Sequence, residues 1–129
     1  MSRSLNYSHI FIRLGLAIVF LWFGVDKFFS PDYWINAWVP HWLIGFSSRF
    51  GVDALTLIYS TGVFEVLVGI SLITGVFMTT FSALALVFLI FILLSVGLNE
   101  ITIRDFSIIG GFLAILSWPK INGYTPYRL

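Results

Sequence analysis

Glu65 stands inside the apolar run Gly62-Val63-Phe64-Glu65-Val66-Leu67-Val68-Gly69, where a lone carboxylate must be protonated or paired with a cation. An acid in that setting can anchor a polar headgroup or relay a proton. Equally, it can form a structural ion pair that fixes the packing of two helices. Arg13 is the expected partner. By helix rise the two backbones differ in depth by on the order of 10 Å, within reach of two extended side chains and a water. A denser group comprises Asp26, Lys27, Asn99, Glu100, Arg104 and Asp105. Gathered at one depth, these residues would make a polar mouth able to bind the head of an amphiphile. The alternative is ordinary charge termination of helices at an interface. Glu100 and Arg104 have the four-residue spacing of a helical ion pair, and Asp105 would suit the dipole of a helix starting nearby.

Trp34, Trp38 and Trp42 recur every fourth residue, beside Tyr33, in a segment that Pro40 breaks or kinks. One reading is an aromatic lid over the polar mouth, suited to stacking on a flat ring such as a quinone. The other is an interfacial segment of the aromatic belt, which is also all that Trp118 requires. Gly24-Val25-Asp26-Lys27 and Gly97-Leu98-Asn99-Glu100 share a Gly, aliphatic, Asp/Asn, charged pattern, a hint of a parallel two-plus-two repeat.

The elements that must position these groups are membrane helices. Of 129 residues 59% are hydrophobic and only 10% charged, and the mean hydropathy is +0.99. A soluble domain carries roughly a quarter charged residues, so a soluble enzyme is excluded. A formal charge of +1 gives no basic footprint for nucleic acid. With no Cys there is no dithiol relay, thiolate metal site or iron–sulfur cluster, and no metal site of any kind is expected. Two His residues, His9 and His41, argue against a bis-His haem within the bilayer.

A span needs about 20 apolar residues, and four fit: about 8–29, 54–75, 80–98 and 101–118, the last stopped by Pro119. The expected fold is an all-α membrane protein, a single four-transmembrane-helix bundle, with a long amphipathic aromatic loop over 30–52. No small-x-small cleavage site follows the first span, so it reads as a permanent helix. Short turns make the last three spans a meander that the first closes. Small-residue pairs at four-residue spacing, Ser71 with Gly75, Ser107 with Gly111 and Gly110 with Ala114, would permit close helix approach. Only twelve uncharged residues separate Arg13 from Asp26, about 18 Å of helix, so charged groups must enter the boundary region or the bilayer must thin. Phe106 to Trp118 is similarly short, so the fourth span must take Arg104 and Asp105 into its first turn. Arg3, Arg13, Lys120 and Arg128 lie on the side of the termini, against Lys27, Arg49 and Arg104 opposite. Four against three puts both termini in the cytoplasm of a multi-pass protein of a prokaryotic-type plasma membrane.

Arg13-Leu14-Gly15 leading to Leu21-Trp22-Phe23-Gly24-Val25-Asp26-Lys27-Phe28 resembles the first helix of the DoxX-like membrane proteins. GVFEVLVGISLITG resembles that family's glycine-flanked glutamate helix. VGLNEITIRDFSIIGG resembles its third-to-fourth junction, where an Arg-Asp pair precedes a small-residue helix. The resemblance implies a compact four-helix membrane protein, often found with partner oxidoreductases, some relatives being associated with quinone-linked sulfur oxidation. Arg13, Asp26, Lys27, Glu65, Arg104 and Asp105 are the matching polar positions. The expected function is binding of a quinone-like or lipid-like ligand as an accessory membrane subunit of an oxidoreductase system. Non-enzymatic scaffolding is the alternative, and whether the chain catalyses anything stays open. No cofactor signature is present, so any redox role would require either an organic cofactor bound without one, for which the resemblance suggests a quinone, or a partner subunit. The expected partners are the bilayer, oxidoreductase subunits and a second copy of the chain.

Overall fold

The structure, a computed structural model, describes residues 3–118. The positive charges Lys120 and Arg128 and the stop at Pro119 lie outside the described residues. Among the described residues all regular structure is helical: α1 (Arg3–Phe29), α2 (Pro31–Trp38), α3 (His41–Ser48), α4 (Ala54–Thr74), α5 (Met78–Val96) and α6 (Glu100–Leu116).

Local chemistry sets the boundaries. Pro31 opens α2 and forces the preceding Ser30 out of helical backbone (φ −133°), which ends α1. Pro40 does the same to Val39, so the expected long loop is two eight-residue helices with a sharp break. Asp53 caps α4 by accepting from the Thr56 N–H at 2.8 Å. Gly75, at φ +77°, closes that helix in the left-handed conformation that only glycine adopts freely. Asn99 caps α6 by accepting from the Ile101 and Thr102 N–H groups, while the Asn99 N–H donates back to Thr102 Oγ1 at 2.8 Å. This reciprocal cap starts α6 at Glu100. Glu100 therefore occupies the first turn, and Arg104 and Asp105 fall in the second. The dipole partner expected at Asp105 is Glu100 instead. The two similar tetrapeptides also part company: Asp26-Lys27 is inside α1, whereas Gly97 ends α5 and Glu100 begins α6.

α1 packs most extensively on α4, α4 on α5, α5 on α6, and α1 also meets α6. The α1–α4 pair is antiparallel, with Arg13 near Ile73, Leu21 near Gly69, Gly24 near Gly62 and Phe28 stacked on Tyr59. Their closest approach is glycine on glycine. A Cβ on Gly24 would lie 3.0 Å from the Gly62 carbonyl oxygen, and one on Gly62 would lie 3.0 Å from the Gly24 carbonyl oxygen. Of the small residues expected from spacing to permit close approach, some meet another helix and some do not. Ser71 donates to the Val76 carbonyl in the turn after α4, Gly110 has nothing near it, and Gly111 meets Leu16 of α1. The core is a column of Leu16, Ala17, Phe20, Val68, Leu72, Met78, Ala85, Leu89, Phe112 and Ile115. α2 lies on α1 and α4, and α3 on α4, forming a strap across one end of the helices.

Candidate ligand-binding site

Near that strap the helices line a partly open cavity of about 540 Å³. Phe20, Phe23, Asp26 and Lys27 from α1 and Leu57, Ile58, Thr61 and Glu65 from α4 form two of its walls. Phe88, Phe91 and Ile92 from α5 and Thr102, Arg104, Asp105 and Ile108 from α6 form the others. Tyr33, Trp34, Trp38, Val39, Pro40 and Leu43 of the strap complete it. The site thus draws on every helix among the described residues.

The ion pair at its heart is Lys27 with Glu65, Nζ to Oε1 at 2.5 Å, both side chains under 10% exposed. It is the one ion pair among the described residues. The expected Arg13–Glu65 pair is not formed, and helix register is the reason. With Gly24 opposite Gly62 in an antiparallel pair, Glu65 lies level with Leu21. Lys27 therefore reaches it from six residues (about 9 Å of helix) on the strap side, whereas Arg13 lies eight residues (about 12 Å) the other way, level with Ile73. Arg13 instead donates from Nε to the Leu72 carbonyl (2.7 Å) and from its terminal nitrogen to that of Ile73 (3.0 Å). A cation there satisfies last-turn carbonyls of α4 and meets the negative end of its dipole.

Trp34 ties the strap to this pair. Its indole N–H donates to Asp26 Oδ2 at 2.9 Å, and Lys27 Nζ stands 4.7 Å from the ring centroid. The ring also meets Phe23 edge-on, with centroids 5.5 Å apart. Asp26, Lys27, Trp34 and Glu65 are therefore one connected group. Sequence spacing grouped Asp26 with Lys27, and Trp34 only as one reading of a lid, and missed the Lys27–Glu65 partnership.

The remaining candidates divide. Trp38 lines the cavity, whereas Trp42, beyond the Pro40 break, is exposed and outside it. Arg104 and Asp105 line the cavity. Asn99 serves the α6 cap, and Glu100 is exposed and forms no ion pair with Arg104. No group of three His, Cys, Asp or Glu side chains among the described residues could hold a metal.

The outer surface is oil. Trp22 (71% exposed), Ile18, Leu94 and Val87 project from helices whose buried sides form the core. α1, α4 and α5 are each long and apolar enough to cross a membrane. Large apolar side chains turned outward on spanning-length helices, around an apolar core that shelters a buried ion pair, define a helical membrane protein. The chain belongs to the DoxX family, whose model matches residues 9–98. No curated protein and no solved structure matches it.

Proposed function

We propose that the chain is a four-span integral membrane protein whose cavity binds a quinone-like or lipid-like amphiphile as an accessory subunit of an oxidoreductase system. The single observation that carries this reading is a roofed, largely apolar cavity with a buried Lys27–Glu65 pair in its wall. Small-molecule sites combine these features: apolar and aromatic walls, few polar groups, and a volume within roughly 300–1,000 Å³. α6 is the fourth span in this reading. Its 17 residues cover about 25 Å, so the bilayer thins there or Glu100 sits in the boundary region. Both termini lie on the cytoplasmic face of a prokaryotic-type plasma membrane, which puts the strap at the outer face. Partner oxidoreductase subunits, and a second copy of the chain, would meet its apolar flanks.

Scaffolding is the second reading, favoured by the way Lys27–Glu65 fastens α1 to α4. A charge exchange separates the two. The Lys27→Glu/Glu65→Lys double variant restores accumulation under both readings. Only the ligand reading expects the co-purifying small molecule, identified by mass spectrometry from native nanodiscs, to remain lost. Its return in the double variant would remove a chemical role for Glu65, and its absence from the native chain would overturn the ligand reading.

A further inference from the structure

Resting on that ligand-binding reading, we infer that the cavity selects a neutral amphiphile with a hydroxylated aromatic head, the hydroxyl donating to Glu65 Oε2. The two oxygens of Glu65 have unequal partners. Oε1 accepts from Lys27, while Oε2 is buried and has no hydrogen-bond partner among the described residues. The whole residue is 6% exposed and forms part of the cavity wall. A carboxylate paired with an ammonium only accepts, so the unmet need is for a donor. Buried polar atoms are nearly always matched, and a charged acceptor left alone is costly. Lys27 is already engaged by Glu65 and by the Trp34 ring.

The charge of the walls narrows the class further. Asp26, Glu65 and Asp105 stand against Lys27 and Arg104, a formal charge of −1. Phosphate or carboxylate heads would bring a second negative charge against Glu65 in a weakly screened setting. A head bearing carbonyls alone brings only acceptors and leaves Oε2 unmatched. A phenolic hydroxyl supplies the missing donor without charge, and its ring matches the flat faces of Phe23, Trp34 and Phe88.

The test uses the full chain in nanodiscs of neutral lipid, titrated with para-nonylphenol, its methyl ether and decyl-benzoquinone. Tryptophan quenching reports binding, corrected for partition into protein-free discs. The phenol is expected to bind about ten-fold or more tighter than the ether, as for a hydrogen bond to a charged acceptor. It is expected to bind tighter than the quinone as well. Glu65→Gln, checked for folding by its thermal melt, should narrow the phenol–ether gap. Equal binding of phenol and ether, or preference for the quinone, overturns this inference and leaves the ligand-binding reading standing. Failure of all three to saturate removes both. The comparison among ligands needs no variant, so it decides between these outcomes even if the Glu65→Gln chain misfolds.

Discussion

Lys27 reaches across the α1–α4 interface to Glu65, Nζ to Oε1 at 2.5 Å, with both side chains buried. Two charges hidden from lipid in one contact make each dependent on the other. Losing one partner leaves an uncompensated buried charge, a cost of about 3–5 kcal/mol, whereas replacing both with apolar groups of similar volume is often neutral. Lys27→Met or Glu65→Leu alone should sharply lower the thermal midpoint in detergent. The Lys27→Met/Glu65→Leu chain should recover most of it. A double variant as unstable as the worse single would argue that the pair does not hold the helices.

Arg13 and Glu65 should be energetically independent, because Arg13 serves the end of α4 and not the acid. Arg13→Gln is expected to cost about 1.5–3 kcal/mol, the range for hydrogen bonds to a charged group. It should also speed amide exchange in the α4 C-terminal turn. A double-mutant cycle with Glu65→Gln should give coupling within about 0.5 kcal/mol of zero. Coupling near that of the Lys27–Glu65 cycle would reinstate the pairing expected from span depth.

The glycine-on-glycine crossing sets how closely α1 and α4 lie. Gly62→Ala places a methyl against the Gly24 carbonyl oxygen and Phe28 at about 3.0 Å, so the helices must separate. The ion pair then stretches, and detergent stability falls. Gly15→Ala is the control, since nothing stands within 4 Å of a Cβ there. Its better helix propensity should leave stability equal or raised by up to about 1 kcal/mol. Equal melting of the two variants would mean that the crossing tolerates a methyl.

Trp38 and Trp42 are four residues apart but lie on different helices, one lining the cavity and one outside it. Trp38→Leu should weaken binding of decyl-benzoquinone roughly two- to ten-fold, the range for loss of an aromatic contact. Trp42→Leu should leave affinity unchanged. The same loss in both would place the binding elsewhere on the strap.

Asp53, outside the apolar helices, carries a pH dependence of its own. Hydrogen bonds from the Thr56 side chain and backbone hold its carboxyl below the usual carboxylate range. Because the folded pKa lies below the unfolded one, its cap contributes fully above the ordinary carboxylate pKa. That contribution is lost as pH falls through the folded value. Protection of the Thr56 amide, relative to its intrinsic exchange rate, should fall on acidification through that window, and Asp53→Asn should flatten the response. An identical acid profile in both chains would exclude the cap as its source.

Much of the architecture was legible because the bilayer dictates composition. Apolar runs of spanning length, broken at Pro31, Pro40, Asp53, Gly75 and Gly97, mark the helix ends with little help from packing. The polar positions Asp26, Lys27, Glu65, Arg104 and Asp105 were also visible, because charges are so rare in this chain. Their partners were not. Depth counting put Arg13 and Glu65 on the order of 10 Å apart, close to the eight residues between Glu65 and Ile73, but it could not show that the carbonyls ending α4 would take the guanidinium while Lys27 took the acid. Nor did four-residue spacing distinguish Gly110, with nothing near it, from Gly62, pressed on another backbone.

By itself, then, the sequence determined that this chain forms apolar helices with a few charges that must be sheltered, because lipid solvates neither backbone nor ions. Only the tertiary structure decided which cation meets Glu65 and which tryptophans roof the cavity. The physical reason is register. Where Gly24 crosses Gly62 fixes the sliding of one helix along the other, and the break at Pro40 turns Trp42 away from Trp34 and Trp38. Neither follows from local preference.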